Sequence, residues 1–505
     1  MTNIYNIFHD RFESGEDFIL SPRLSTIATY QDLEQRSALY VNRLAGLGLK
    51  KGDRVIVQAD KSVEGLFFYF ACLRAGLIYL PLNTAYQRHE LEYFVENAEP
   101  GLIVCSPGQE SLIRSIFSRH VFTLDEDGKG SINEDLDAEP STCTTVSRAD
   151  DDVAVILYTS GTTGRPKGAM ISHGNLAANG IALHKAWGWV DDDVLLHALP
   201  IFHIHGLFVA THLAVLNASP VIFLPRFDPA EVIRLLPSAT VYMGVPTNYT
   251  RLLANPDLSI EACNNMRLFT SGSAPLLPQT FDEFKSRTGY TIVERYGMTE
   301  TGMNTSNPLD GIRKPGTVGL PLPGVSCKVV DNDENPVAID ETGNLLVKGK
   351  NVFQGYWQLP MKTKEEFTSD GYFKTGDLAS CDSDGYISIV GRNKDMIITG
   401  GLNVYPREIE KIIDELPGVE ESAVIGLADS DFGEAVSAVI VRSPGAEIDE
   451  QVIVQHLKAT VANFKVAKKI FFVDALPRNT MGKVQKNILR EKFHSERLPA
   501  PRTYP

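Results

Sequence analysis

The sequence predicts a multidomain protein of α/β and α+β class: a large N-terminal domain with layered α/β subdomains plus an antiparallel β subdomain, then a small mobile α+β C-terminal domain. Three observations carry that expectation. At 505 residues the chain exceeds what one hydrophobic core accommodates. Up to about residue 325, short apolar runs alternate with longer amphipathic segments, the rhythm of strands and helices in α/β layers. The pattern then changes twice, near residue 325 and again after Gly391.

Taken in order, residues 76–83 read as an apolar helix end leading into Pro-Leu-Asn, and 153–158, 221–224, 240–243 and 267–270 read as strands. Residues 326–330, 345–347 and 385–390 are brief β-like pieces parted by Gly, Asp and Asn, which predicts the antiparallel subdomain over about 325–390. Further on, Ile409, Ile412, Ile413 and Leu416 recur at helical spacing and lead through Pro417-Gly418 to an alternating strand at 422–426. The expected division is a large domain of residues 1–393 and a small one of 394–505, with a hinge at 391–395. No repeat at solenoid spacing and no low-complexity tract interrupts this organisation.

Composition narrows the function classes. Hydrophobic residues make up 43% and charged residues 22%, ordinary for a globular protein with sizeable cores. With 63 acidic against 48 basic residues the net charge is -15, so no broad positive field invites nucleic acid or an anionic membrane. Anionic ligands must be met by local clusters. Cys72, Cys105, Cys143, Cys263, Cys327 and Cys381 show neither Cys-x-x-Cys spacing nor a nearby histidine pair, so a zinc site and a disulfide framework are both disfavoured. Residues 1–18 lack the pattern of a secretory leader, and no apolar run reaches membrane-spanning length; the expectation is a cytoplasmic protein.

The most informative stretch is Tyr158-Thr-Ser-Gly-Thr-Thr-Gly-Arg-Pro-Lys-Gly168, directly after an apolar strand. Gly161, Gly164 and Gly168 permit backbone angles that turn N–H groups toward one anion. Ser160, Thr162 and Thr163 add hydroxyl donors, and Lys167 a point charge. Polyphosphate fits that inventory. The spacing is neither that of a Walker loop nor a Gly-x-Gly-x-x-Gly dinucleotide fingerprint. A plain surface turn explains three such residues together, but not ten in order.

This loop resembles the signature loop of the adenylate-forming superfamily, which includes acyl-CoA synthetases, nonribosomal adenylation domains and firefly-type luciferases. The resemblance implies an ATP site on Thr159, Ser160, Gly161, Thr162, Thr163, Gly164 and Lys167. Partner motifs follow in the family's order. Glu294-Arg-Tyr-Gly-Met-Thr-Glu300 implies that Tyr296 packs on adenine, Thr299 contacts phosphate and Glu300 helps hold Mg2+. Thr375-Gly-Asp377 and Gly391-Arg-Asn-Lys-Asp395 imply ribose-side roles for Asp377 and Arg392, with Lys394 at the hinge. Pro477-Arg-Asn-Thr-Met-Gly-Lys483 resembles the element whose lysine enters for adenylation; Lys483 is the match, and a lysine between carboxylate and α-phosphate stabilises charge developing on both. Lys483, Thr299 and Glu300 are therefore the catalytic candidates, while Lys486 and Lys492 are expected to be solvated. Ile398-Thr-Gly-Gly401 matches the thiol-channel loop, where Gly400 and Gly401 leave room for the narrow arm of CoA.

For the acid, Leu199-Pro-Ile-Phe-His-Ile-His-Gly206 matches a segment beside the acyl pocket and offers His203 and His205. In Val245-Pro-Thr-Asn-Tyr-Thr-Arg-Leu, Pro246 reads as a helix start that puts Arg251 in or just after the first turn, where a cation opposes the helix dipole unless an anion offsets it. Arg295 is a second cation, and Ser273 of Ser271-Gly-Ser-Ala-Pro275 offers a hydrogen bond. Two arginines argue for a small dicarboxylic acid; structural Arg–Glu pairing is the alternative. The ensemble resembles the malonyl-CoA synthetases of the superfamily, which implies ATP-dependent ligation of malonate, and of some methylmalonate, to CoA with release of AMP. A broad short-chain acyl-CoA synthetase is the alternative enzyme. A non-catalytic nucleotide-binding regulator is the alternative of another class, disfavoured by the joint presence of Lys167, Glu300, Asp377, Arg392 and Lys483.

Overall fold

A computed structural model of the chain describes residues 3–12, 15–159, 166–399, 402–429, 432–461, 463–479 and 482–494. The chain divides into two compact units. The larger comprises Met1–Gly272, Pro278–Cys327 and Val347–Phe373; the smaller comprises Ser273–Leu277, Lys328–Leu346 and Lys374–Pro505.

Among the described residues the larger unit holds two mixed sheets. A seven-stranded sheet runs Gly355–Tyr356, Lys167–Ser172, Val153–Thr159, Ile78–Pro81, Arg54–Gln58, Leu102–Cys105 and His120–Thr123. From Val153–Thr159 to His120–Thr123 its neighbours are parallel, while Lys167–Ser172 turns back antiparallel. A nine-stranded sheet has the parallel core Val293–Met298, Leu268–Ser271, Val241–Gly244, Leu195–His197 and Val221–Phe223. Parallel strands are covered on both faces, and their burial is accordingly near-continuous rather than alternating. The strands expected at 240–243 and 267–270 each begin one residue later. Thr240 and Arg267 act as polar anchors instead: Thr240 Oγ1 donates to Asp193 at 2.7 Å and accepts from Val194 N at 2.9 Å, and Arg267 Nε reaches the same carboxylate at 2.6 Å.

The expected antiparallel character after residue 325 takes the form of a four-stranded sheet ordered Val325–Val330, Gly343–Gly349, Phe373–Cys381 and Ile387–Arg392, the last two strands antiparallel. In the smaller unit, a sheet of Leu402–Val404, Ile397–Thr399, Gly433–Arg442, Val419–Asp429 and Lys469–Val473 has apolar residues on both faces. Val424, Val436, Ala438 and Ile440 pack with Ile409 and Ile413 of the helix Pro406–Asp414 and with Leu457 of the helix Glu450–Thr460. On the other face Ala423, Ile425, Leu427 and Val439 pack with Leu489 and Phe493 of the helix Lys486–His494. This period-2 alternation between two cores is the α+β arrangement that the terminal pattern predicts. Among the described residues no helix is long and apolar enough to cross a membrane.

Candidate active site

In the larger unit, the antiparallel strands Val153–Thr159 and Lys167–Ser172 carry the two ends of the glycine-rich loop, with Thr159 in register with Lys167. Ser160, Gly161, Thr162, Thr163 and Gly164 lie outside the described residues. Gly168, expected to give the loop freedom, instead serves close packing: a Cβ there would stand 2.9 Å from Ile156 Cγ2. Its carbonyl accepts from Trp357 N at 2.7 Å.

Lys167 is 9% exposed, with Nζ 3.6 Å from Glu366 Oε1 and 4.1 Å from the centre of the Tyr356 ring. The Tyr356 hydroxyl donates to Glu300 Oε1 at 3.0 Å, and Thr159 Oγ1 donates to the same oxygen at 3.4 Å. Thr159, Lys167 and Glu300 are thus brought into one cluster. Burial, reinforced by Glu300, pushes the Tyr356 phenol far above its usual range, so it acts only as a donor. No sequence motif marks Tyr356 or Glu366; they arrive from a segment well separated in sequence from both strands.

Glu300 follows the strand Val293–Met298, whose pairing with Gly302–Ser306 shifts register between Tyr296 and Gly297. A Cβ on Gly297 would fall 2.1 Å from the Gly302 carbonyl oxygen. Gly302 itself has φ 61°, beside Asn179, whose side chain accepts from Met303 N at 3.0 Å and donates to Met303 O at 2.8 Å. This tight turn fixes half-buried Thr299 and buried Glu300 at the strand end. Tyr296 is half-buried, its hydroxyl 3.9 Å from Met298 Sδ.

On the same strand Arg295 is 3% exposed, and its Nε and Nη2 have no hydrogen-bond partner among the described residues. Its guanidinium lies against Gly272, a position with no side chain to obstruct it. Burial pulls the guanidinium down to about 9, opposed by Tyr249. His205, also buried, opens the π-helix His205–Thr211; burial first, then Arg295, His203 and His197, hold its imidazole well below the usual range, so it is neutral at pH 7. His205 N donates to His203 Nδ1 at 3.3 Å. Arg295 and His205 therefore share one interior region. A buried guanidinium with two unanswered donors strongly favours an anion.

Arg251 differs. Its helix starts at Pro246 as expected but ends at Leu253 after 8 residues, so exposed Arg251 falls in the last turn. There the dipole favours a cation, and the penalty expected from the sequence does not arise. Ser273 has φ 71°, unusual for a residue with a side chain.

In the smaller unit, Asp377 and Arg392 are register partners, and Arg392 Nε lies 3.1 Å from Asp377 Oδ1. Asp377 is buried, and its N–H donates to Thr375 Oγ1 at 3.1 Å. Lys394 lies in the turn Asn393–Asp395, and Lys483 in a hairpin whose N–H donates to Asn479 Oδ1 at 2.9 Å. Gly400 and Gly401 lie outside the described residues. Lys486 is not the solvated charge expected: its Nζ is 2.5 Å from buried Glu410.

Magnesium fits what is present. Glu300 offers one hard carboxylate beside the Thr159 hydroxyl, the sparse protein donor set that suits an ion held mainly by phosphate oxygens and water. Among the described residues no group of three or more His, Cys, Asp or Glu forms an all-protein cage.

The AMP-binding enzyme family matches residues 18–357, and the AMP-binding enzyme C-terminal domain matches residues 408–483. A malonate–CoA ligase of Arabidopsis thaliana is 35% identical over 89% of this chain and 80% of its own length. A feruloyl-CoA synthase of Amycolatopsis sp is 33% identical over 93% of this chain and 94% of its own. The crystal structure of ATP-bound MatB from Rhodopseudomonas palustris superposes with a TM-score of 0.95 at 51% identity, covering 98% of this chain and 99% of that one.

Proposed function

Because the chain belongs to the AMP-binding enzyme family, we propose that it is an ATP-dependent malonate–CoA ligase that works through a malonyl-adenylate. The observation that carries the choice of acid is Arg295, a buried guanidinium whose Nε and Nη2 have no hydrogen-bond partner among the described residues. Monocarboxylic acids spend their only carboxylate in the reaction. Malonate keeps a second one, and a guanidinium fork matches a carboxylate in charge and planarity. His205, neutral beside it, adds no competing charge, and Arg251, His203 and Ser273 complete the proposed acid-binding set.

In the proposed reaction one malonate carboxylate attacks the α-phosphate of ATP, diphosphate leaves, and the thiolate of CoA then displaces AMP from the mixed anhydride. Residues 159–164 and Lys167 bind the phosphates, Thr299 adds a hydroxyl, Tyr296 packs on adenine, and Asp377 with Arg392 meets the ribose. Lys483 stabilises charge shared by carboxylate and α-phosphate in the first step. A magnesium ion held through Glu300 would neutralise phosphate charge. Residue 394 is the proposed pivot between domains 1–393 and 394–505, and Gly400 and Gly401 line the path of the thiol. Methylmalonate differs by one methyl group, so pocket fit alone discriminates weakly, and it is used to a lesser extent.

The test is AMP formation and loss of free CoA thiol with malonate, methylmalonate, acetate, butyrate and a hydroxycinnamate. Malonate should exceed acetate in kcat/KM by roughly tenfold to hundredfold, the worth of one charge-assisted pair. Equal use of acetate and malonate would remove the dicarboxylate reading, and no AMP with any acid would remove the ligase reading.

A further inference from the structure

The hairpin that carries Lys483 is held at both feet by ion pairs outside the chemistry proposed above. Its backbone is compact: Gln485 N donates to Pro477 O at 2.8 Å, Asn479 N to Lys483 O at 2.9 Å, and Gly482 N to Asn479 O at 2.9 Å. At one foot Arg478 donates to Glu421. At the other, Lys486 Nζ meets Glu410 Oε1 at 2.5 Å.

Both acids belong to the surroundings of one strand. Glu421 lies in Val419–Asp429, and Glu410 projects from Pro406–Asp414 to accept the outward N–H of Val424 at 2.8 Å. Among the described residues that strand pairs only with Gly433–Arg442 and so forms an edge of its sheet. Glu410 is 5% exposed, on a helix whose neighbouring buried positions Ile409 and Ile413 are apolar. A carboxylate survives there because the Val424 N–H, the Lys486 ammonium and, at 3.9 Å, the Arg407 guanidinium answer it.

The two helices it links lie on opposite faces of the sheet. Ile409 and Ile413 pack in one core with Val424, while Leu489 and Phe493 pack in the other with Ala423 and Ile425. The Lys486–Glu410 pair therefore reaches around the edge strand and fixes where the helix Lys486–His494 begins, three residues after Lys483. Arg490 of the same helix pairs with Asp395 at 2.8 Å, beside Lys394.

We propose that Lys486 is a positioning residue for adenylation: through Glu410 it anchors the hairpin and so sets the location of the Lys483 ammonium. This rests on the ligase reading for its chemistry, but the contact can be tested without it. A displacement of about 1 Å in a reacting constellation costs on the order of hundredfold in rate. Lacking Lys486, the hairpin keeps its internal hydrogen bonds and the Arg478 foot but loses the other.

The experiment uses the full chain with Lys486→Met and Lys486→Arg. Three quantities are measured: amide hydrogen exchange over residues 477–486, malonate-dependent diphosphate release, and conversion of supplied malonyl-adenylate to the thioester. In Lys486→Met, hairpin exchange should rise by about tenfold, diphosphate release should fall by roughly tenfold to hundredfold, and thioester formation should stay within about twofold; Lys486→Arg should recover most of the first step. Unchanged exchange would overturn the proposal, as would equal loss of both half-reactions, which marks a merely structural lysine. If the unaltered protein released no diphosphate with any acid, the ligase reading would fall while the exchange measurement still decided whether the pair holds the hairpin.

Discussion

Gly272 lies beneath the guanidinium of Arg295: a Cβ on Gly272 would stand 2.5 Å from Cζ and 2.6 Å from Nε. The missing side chain is thus what lets the cation occupy its place. Gly272→Ala should displace the guanidinium and lower kcat/KM for malonate by roughly tenfold to hundredfold, while acetate changes by less than about threefold. Steady-state assays with both acids check this; uniform loss would mean a packing role. Arg251→Ala, at an exposed helix end, should cost less malonate selectivity than Arg295→Met.

The protonation of Arg295 gives a second prediction. Its value of about 9 means that the cation needed to hold a second carboxylate is lost at alkaline pH. The ratio of kcat/KM for malonate to that for acetate should be flat from about pH 6 to 8 and fall about tenfold per pH unit above about 9, since kcat/KM reports the free enzyme. His205, neutral throughout, adds no inflection between these limits. For folding the sign is fixed as well: the folded value lies below the ordinary 12.5, so the cation burdens stability fully below about 9, and the burden lifts progressively as pH rises from there towards 12.5.

Lys483→Ala should abolish most malonate-dependent diphosphate release while leaving the conversion of supplied malonyl-adenylate to thioester within about threefold. Rapid-quench measurement of the two half-reactions distinguishes this from equal loss of both, which would count against a first-step role.

Asp414 supplies a stability prediction. Burial raises its carboxyl to about 6, eased by Ser422 and reinforced by Glu410. The folded value exceeds the ordinary 3.8, so the ionised form costs stability fully above about 6, and the cost disappears as pH falls toward 3.8. Asp414→Asn should therefore raise the unfolding midpoint by roughly 2 °C at pH 7.5 and show no gain near pH 4, as read by calorimetry.

The elements most legible in the sequence were those whose burial is patterned. The strand at 153–158 and the helix around Ile409 and Ile413 follow from periodicity, because one strand or helix buries its own apolar residues. Arg295 was legible as a candidate through its motif, but its two unanswered donors were not, since they depend on what every neighbouring chain segment fails to supply. Tyr356, Glu366, Asn179 and Gly272 were illegible for a related reason: each acts on a partner distant in sequence. From the sequence Lys486 reads as a surface charge, because lysine usually is one. Its partner Glu410 comes from 76 positions earlier, on a helix read for its apolar face.

The cap on the strand Val419–Asp429 also bears on solubility. An uncovered strand edge offers N–H and C=O groups to any passing chain and is a template for aggregation. Here Glu410 occupies the Val424 N–H, and charged side chains from Arg478 and Lys486 stand along the same margin. A second molecule seeking to add a strand would first have to displace a carboxylate and strip two cations of their partners. The small unit is thereby defended against sheet-to-sheet recruitment on the side where it has most strand to offer.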